Sequence, residues 1–270
     1  MARTKTTDFP SKSFSKRLNT MMKADGRRMF TSSMFYIMAG IALVMPILIL
    51  CMTTMVSGTT VADPTTGVET TMEAFTNVWQ IIGSESGTMG MNMDMTAMCN
   101  INLVYFMAGI FLCLFVAEDF QSGYAKTLFT VRARKGDYIA SKTFYGFLAG
   151  AIFLICFFVG ALLGGAFSGL SFALGAAGIA GVVMCMLSKI FLMAVFVAIF
   201  LLMAVIGRQR SWLSILLALF GGMLMFMMIP AMTPIDAGIV HVGLTLAGGA
   251  IFAPCIGLLS KLVLSKQDLV

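Results

Sequence analysis

Apolar runs of about 20 residues recur along the whole chain, and they constrain its fold more than any other feature. A run of that length is what an α-helix needs to cross the roughly 30 Å of hydrocarbon in a bilayer. Only 11% of the 270 residues are charged, whereas about a quarter of a soluble domain is charged. The sequence therefore predicts an all-α polytopic membrane protein. The long apolar blocks argue against a β-barrel, whose strands alternate over about 10 residues.

Six of these runs are long enough to be spans, and we assign residues 1–270 to one transmembrane domain. The predicted spans are residues 33–56, 99–117, 143–167, 182–206, 212–229 and 239–259. Positive charge is concentrated on one side, with eight Lys and Arg before the first span, five in 118–142, two in 207–210 and two in the tail. The segments on the other side carry none. Because cytoplasmic segments are enriched in Lys and Arg, both termini are predicted to be cytoplasmic.

The net charge of +6 does not indicate nucleic-acid binding, because the basic residues flank the spans and form no single soluble basic face. The first basic segment instead predicts an amphipathic helix at residues 13–30 that lies on the anionic inner leaflet. The residues assigned to its two faces are Phe14, Leu18, Met21 and Met22 on the apolar side and Lys16 and Arg17 on the basic side.

The loop at 57–98 is acidic, contains no Lys or Arg, and is predicted to lie outside the cell. Thr70 and Glu73 have the spacing of a capping box. Apolar residues follow at helical spacing and predict a short helix against the outer membrane surface: Met72, Phe75, Trp79 and Ile82. The uncharged, glycine-rich connection 168–181 is compatible with a simple outer loop or with a re-entrant segment.

A catalytic site is not evident in the sequence. There is no P-loop and no HExxH motif, and the only histidine, His241, lies near a span end, where a polar residue is common. Lys189 is the one ionisable residue within a span. We expect it near the outer interface, where its amine can snorkel to water, and consider a substrate contact as the alternative. Pro46 should kink the first span, which makes Pro46 and Lys189 candidate gating or substrate residues.

Metal ligands are a second possibility. The outer loop contains closely spaced methionines, and thioethers suit Cu(I) or Ag(I): Met89, Met91, Met93 and Met95. The chain has 25 methionines in all, however, so methionine also serves as an apolar filler. Cys51 and Cys99 could both lie near the outer surface, where a disulfide is conceivable.

The segment 118–142 is the longest polar stretch between two spans on the basic side. Phe120, Tyr124 and Leu128 form one apolar stripe, which predicts a short helix parallel to the membrane, followed by a turn at Gly136. The segment resembles the cytoplasmic loop between the second and third spans of ABC type-2 export permeases. The residues that carry the resemblance are Glu118, Gly123, Lys126, Leu128, Arg132 or Arg134, Tyr138, Ser141 and Lys142.

The resemblance implies a permease half that pairs with a second half, identical or homologous, and with a dimer of cytoplasmic ABC ATPase subunits. The helix at about 119–131 would be the coupling helix that the ATPase moves. Its implied contact residues are Glu118, Asp119, Phe120, Gly123, Tyr124, Lys126, Leu128, Arg132 and Arg134. The chain would have no enzymatic activity and no cofactor of its own, because ATP and Mg would bind to the partner, and it would reside in a bacterial plasma membrane.

The apolar, Met- and Phe-rich spans suit hydrophobic or amphipathic cargo. Family relatives imply antimicrobial or cytolytic peptides ahead of hydrophobic drugs. Two rival functions remain open at this point: a copper- or silver-handling permease that uses the Met-rich loop, and an immunity or sensor scaffold that transports nothing.

Overall fold

The computed structural model describes residues 14–56, 60–62, 69–71, 75–83, 99–130, 134–174, 178–207, 210–226 and 228–266. In these ranges the protein is helical apart from one small hairpin. Its helices are α1 (Phe14–Thr31), α2 (Ser33–Val56), α3 (Leu103–Gln121), α4 (Tyr124–Thr130), α5 (Lys135–Ser168), α6 (Gly178–Gly207), α7 (Ser211–Phe226), α8 (Met228–Met232) and α9 (Ile239–Lys266).

Five helices of the described ranges are long and apolar enough to cross a membrane: α2, α3, α5, α6 and α9. The multi-pass, all-helical architecture predicted from the apolar runs is therefore confirmed. The predicted fifth span, 212–229, corresponds to α7, which has 16 residues. Its rise is about 24 Å, less than a full hydrocarbon thickness, and a separate short helix, α8, follows it. Six spans stay a prediction.

The long helices define two ends of a bundle, which we call the α1 end and the far end. The α1 end holds α1, the last turn of α3, the first turns of α5 and the end of α9. Helices α7 and α8 together connect the two ends. Gly207 and Ser214 are in contact at the α1 end of α7, and the hydroxyl of Thr233, just after α8, accepts a hydrogen bond from Lys189 near the far end of α6.

Helix α5 is the centre of the bundle, and its glycines allow close packing on two sides. A Cβ at Gly164 would lie 2.8 Å from the Cα of Ile47 in α2, closer than real Cβ atoms approach. A Cβ at Gly150 would lie 2.7 Å from the Cγ of Met193 in α6. The small residues of α5 therefore allow close approach of α2 and α6, two of the helices that α5 contacts.

The start of α5 differs from two sequence-based predictions, the start of the third span and the turn before it. It begins at Lys135, eight residues before the predicted span, so the expected turn at Gly136 is wrong. Asp137 lies in its first turn, where a carboxylate is favoured by the helix dipole. At 34 residues the helix rises about 51 Å, so it extends well beyond a 30 Å hydrocarbon layer.

The outer loop differs from the prediction of a helix that starts at Thr70. Strand β1 (Thr60–Ala62) pairs antiparallel with β2 (Glu69–Thr71), and Thr70 lies opposite Val61 in this ladder. The β-branched residues Thr and Val favour such pairing. Met72 and Glu73, the other residues of that prediction, lie outside the described residues.

The helical part of this loop is a short 3-10 helix, Val78–Ile81, and its capping box is formed by Asn77 and Gln80 rather than by Thr70 and Glu73. It is attached to the chain that follows α5. The Trp79 indole donates to the Phe172 carbonyl at 3.2 Å, and the Asn77 amide donates to the Ala173 carbonyl at 2.6 Å. The described part of the connection 168–174 is thus bound to the outer loop.

Candidate functional site

Charged residues from three helices meet inside the protein at the α1 end. Asp25 and Arg28 come from α1, Asp119 from the last turns of α3, and Lys142 from α5. We call these four residues the charge network. Asp25, Asp119 and Lys142 have fully buried side chains, and the side chain of Arg28 is 28% exposed. Such burial is unusual for carboxylates and lysines and requires that they be paired.

Lys142 is the central cation of the charge network. Its Nζ lies 2.7 Å from Oδ2 of Asp119 and 3.2 Å from Oδ1 of Asp25. The same ammonium lies 3.6 Å from the centre of the Phe115 ring, which adds a cation–π contact. Lys142 therefore joins a carboxylate of α1 to a carboxylate of α3.

Arg28 is the second cation and forms an ion pair with Oδ1 of Asp119. Its guanidinium also stacks on the ring of Tyr124, the first residue of α4, at 4.3 Å from the ring centre. Burial alone would lower the pKa of Arg28, but the Asp119 carboxylate together with Tyr124 and Asp25 outweighs it, and the pKa is raised. Arg28 thus stays charged and contacts α3 and α4 at once.

Two hydroxyl groups add hydrogen bonds to one oxygen of each carboxylate. Tyr138 donates to Oδ2 of Asp119 at 2.9 Å, and Ser141 donates to Oδ2 of Asp25 at 2.6 Å. Both donors belong to α5. With two carboxylates and two cations the charge network is neutral, which is the condition under which buried charges can be retained. Loss of one member would leave an uncompensated buried charge.

Helix α1 contacts α5 at two further places outside the charge network. Arg17 Nε donates to Oδ2 of Asp137 at 3.1 Å, near the start of α5. A Cβ at Gly26 would lie 2.5 Å from the Tyr145 hydroxyl oxygen, so a glycine is needed for α1 to approach this closely. Helix α1 is therefore packed against the bundle as well as positioned beside the predicted membrane surface.

The predicted apolar face of α1 is only partly buried. Met21 is buried and Leu18 and Met22 are half-buried, whereas Phe14 is 56% exposed. The basic-face residues also differ, because Lys16 is exposed whereas Arg17 is paired with Asp137. The face that meets the bundle runs through Met21, Asp25 and Met29.

The segment predicted to be one coupling helix is two elements. Asp119 and Phe120 belong to α3, which ends at Gln121. Gly123 has a φ of 75°, a left-handed conformation that favours glycine, and it separates α3 from the seven-residue α4. A single helix over 119–131 is therefore wrong.

The predicted contact residues of this segment fall into an exposed and a buried set. Glu118, Lys126 and Arg134 are exposed, Phe120 and Leu128 are half-buried, and Tyr124 contacts Arg28. Asp119 is fully buried in the charge network, so the expectation that it faces a partner is wrong for this conformation. Arg132 lies outside the described residues.

Lys189 occupies a second buried polar site, near the far end. Its Nζ donates to Oδ1 of Asn102 at 3.0 Å and to Oγ1 of Thr233 at 2.9 Å. The Tyr105 hydroxyl donates to the Lys189 backbone carbonyl at 2.8 Å. We call these four residues the lysine cluster. Lys189 is 1% exposed, so the expectation that it snorkels to water is wrong: internal oxygens solvate the amine instead.

The other candidate residues have no comparable environment. Pro46 lies within α2 and contacts Gly160 of α5. Cys51 and Cys99 are free thiols. Among the described residues no group of three or more His, Cys, Asp or Glu could hold a metal. The methionines at 89, 91, 93 and 95 lie outside those residues, so the copper or silver hypothesis stays a prediction.

Comparison with known proteins identifies the architecture. The family model described as ABC-2 family transporter protein matches residues 31–225, from the start of α2 to the end of α7. The chain belongs to the ABC-2 transporter family. The resemblance inferred from residues 118–142 is thereby confirmed, and the chain is a membrane transport subunit. No curated protein and no solved structure matches it.

Within this ABC-2 transporter, sequence reasoning missed Asp25. The residue is the only acid in α1, and it lies at i+4 from Met21 and i−4 from Met29. An acid in the middle of the buried stripe of a helix signals a buried partner. Lys142, Tyr138 and Ser141 were found through the family resemblance, but nothing in the sequence joined them to α1.

Proposed function

We propose that this chain is a permease half of an ABC exporter and that α4 is the surface on which a separate ATPase subunit acts. The observation that carries the proposal is the contact between α4 and the charge network. Tyr124 begins α4 and stacks on Arg28, which pairs with Asp119, which in turn binds Lys142. A displacement of α4 would reach α1, α3 and α5 through these contacts.

The shape of the segment supports this role. The Gly123 turn separates α4 from the span α3, and no atom lies within 4 Å of the position that a Cβ at Gly123 would occupy. Helix α4 therefore starts as an element separate from α3. Glu118 and Lys126 are exposed beside this turn and offer charged contacts to a partner. A short helix that contacts a buried ion network would serve as the moving element of a switch of the kind that transporters use.

The distribution of charge supports cytoplasmic termini and six spans. Helices α1 and α4, the start of α5 and the end of α9 carry the basic segments, and all lie at the α1 end. Helices α7 and α8 together reach from Gly207 to the lysine cluster, which supports a sixth crossing made of two pieces. The α1 end would then face the cytoplasm of a bacterium, where ATP and Mg are bound by the ATPase dimer.

We further infer that the cargo is hydrophobic or amphipathic, with antimicrobial or cytolytic peptides ahead of drugs. The apolar composition of the spans supports this class. A second permease half, identical or homologous, would complete the pathway. Helix α9 offers a surface for that half, because only 11% of its apolar stretch is buried in this chain.

The test is a coupling experiment on the complex with its ATPase in proteoliposomes. We expect Glu118→Ala and Gly123→Val to leave basal ATP hydrolysis within about twofold and to abolish its stimulation by cargo, or to release the ATPase on purification. Gly123→Val acts because a β-branched residue is strained at positive φ. Lys266→Ala removes an exposed charge at the same end and serves as the matched control. Normal assembly and stimulation in both variants would refute the proposal.

A further inference from the structure

A deep groove lies on the side of α5 that faces away from the charge network. It has a volume of about 1130 Å³ and is bounded by α5, α9, α6 and the first turn of α1. Its walls are mainly apolar. The bulkiest residues that line it are Phe144, Phe147, Phe191, Leu246, Pro254 and Leu258.

One end of the groove is strongly basic. Arg134, Lys135 and Lys261 line it there, at the α1 end of the bundle. Arg17 and Asp137 also line it, but they form an ion pair with each other. Arg134, Lys135 and Lys261 take part in no ion pair of the described residues. Among the described residues, three positive charges without an ion-pair partner therefore surround one end of an apolar groove.

The backbone adds to this positive field. Helix α5 begins at Lys135, so the partial positive charge of a 34-residue helix is located between the three cations. Gly136 lies in the first turn of this helix, and the Lys261 side chain lies 3.7 Å from the position that a Cβ would take there. Lys135 donates to the Leu264 carbonyl at 2.8 Å, which fixes its ammonium beside α9.

The dimensions and exposure of the groove fit one leaflet of a bilayer. From Gly136 to Phe147 the α5 wall rises about 17 Å, close to half of a roughly 30 Å hydrocarbon layer. The groove is open sideways, since Phe144, Leu246 and Leu258 are 46%, 50% and 60% exposed. Its occupant must therefore combine an anionic group at the bilayer surface with an apolar chain that runs toward the bilayer centre.

We propose that the groove binds one anionic phospholipid of the inner leaflet, with its phosphate among Arg134, Lys135 and Lys261 and an acyl chain between α5 and α9. The assignment to the inner leaflet rests on the proposed orientation. Charge complementarity selects this occupant, because three uncompensated cations favour a headgroup with net negative charge over a zwitterionic one. The bound lipid would hold α9 against α5.

The test measures thermal unfolding of the full chain, without an ATPase, in nanodiscs of phosphatidylcholine with or without phosphatidylglycerol. Stabilisation by a ligand bound at a few times its dissociation constant predicts that phosphatidylglycerol raises the Tm by about 2–4 °C. The triple variant Arg134→Gln, Lys135→Gln, Lys261→Gln should lose this shift. The matched control Lys23→Gln, Arg27→Gln, Lys266→Gln removes three exposed charges outside the groove and should keep it.

A second measurement counts phospholipids that remain bound in native mass spectrometry. The wild type and the control should retain one phosphatidylglycerol that the triple variant and Ala253→Phe, which fills the groove, both lose. An equal Tm shift in the triple variant and the control would overturn the proposal. So would an Ala253→Phe variant that loses self-association while retaining its lipid, since the occupant would then be a second copy of the chain. Neither measurement depends on transport, so failure of the coupling experiment would leave this result interpretable.

Discussion

The charge network and the lysine cluster lie near opposite ends of the bundle, and each buries a lysine in a different way. Lys142 is held between two carboxylates that also bind an arginine. The ammonium of Lys189 donates to two neutral oxygens, from Asn102 and Thr233. The first arrangement is neutral only as a set of four residues, whereas the second is a single amine with dipolar partners.

This difference indicates two roles. An ion network with members on α1, α3 and α5 couples those helices strongly, and breaking it exposes buried charge. A lysine that donates to amide and hydroxyl oxygens joins the start of α3, α6 and the residue after α8 by hydrogen bonds of ordinary strength. The charge network thus suits a conformational switch in which its ion pairs form or break. The lysine cluster suits a set of hydrogen bonds that stays formed in both states.

The largest expected effect is that of Asp119→Ala, which leaves the cations of Lys142 and Arg28 with one carboxylate. Removing one partner of a buried ion pair costs about 3–5 kcal/mol. We expect a marked fall in unfolding temperature and poor recovery in detergent. The double variant Asp119→Ala with Lys142→Met should recover part of the loss, because it restores a neutral set. A double variant no more stable than Asp119→Ala would contradict the ionic account.

A pair of identical substitutions at the two lysines tests the comparison directly. Lys142→Met leaves two carboxylates beside one arginine and should cost about 3–5 kcal/mol. Lys189→Met leaves one amide oxygen and one hydroxyl without a donor and should cost about 1–3 kcal/mol. Urea or thermal unfolding of both variants in the same detergent gives the order. Equal losses would show that burial, and not charge pairing, sets the cost.

The smallest effect is expected at the second ion pair of α1. The Arg17 side chain is 21% exposed, so water partly screens its bond to Asp137. Arg17→Ala should therefore cost about 1 kcal/mol or less. Increasing the salt concentration should weaken the wild type toward the variant, whereas the fully buried Lys142 contacts should respond far less. If salt reduces the stability difference between wild type and variant equally for Arg17→Ala and Lys142→Met, the distinction between a partly exposed and a fully buried ion pair is wrong.

The helices could be predicted because their cause is local. An apolar run of 20 residues specifies a span wherever it occurs, and the family match agrees with the position of α2 to α7. The boundary at Lys135 could not be predicted, because the first turns of α5 are polar and are stabilised by Arg17 and Asp25 of a distant helix. The β1–β2 hairpin was missed because Thr70 and Glu73 have the spacing of a helix cap.

The buried polar sites were missed for a related reason. Asp25 and Ser141 are 116 residues apart, and Lys189 and Asn102 are 87 residues apart. Such separations leave no local pattern, and a lysine within an apolar run predicts equally a snorkelling and a buried amine. Only the three-dimensional packing of α3 on α6 and α8 decides between them. The Met21, Asp25, Met29 stripe was the one local sign of a buried partner.

The residues that meet at the charge network are far apart in the chain, so they are synthesised at different times. Asp25 and Arg28 leave the ribosome early, whereas Asp119 follows Arg28 by 91 residues and Ser141 follows Asp25 by 116. At about 5–20 residues per second, α1 waits several seconds before α5 has emerged. The final docking of α1 is therefore a late event of biogenesis, completed only after three spans have been inserted.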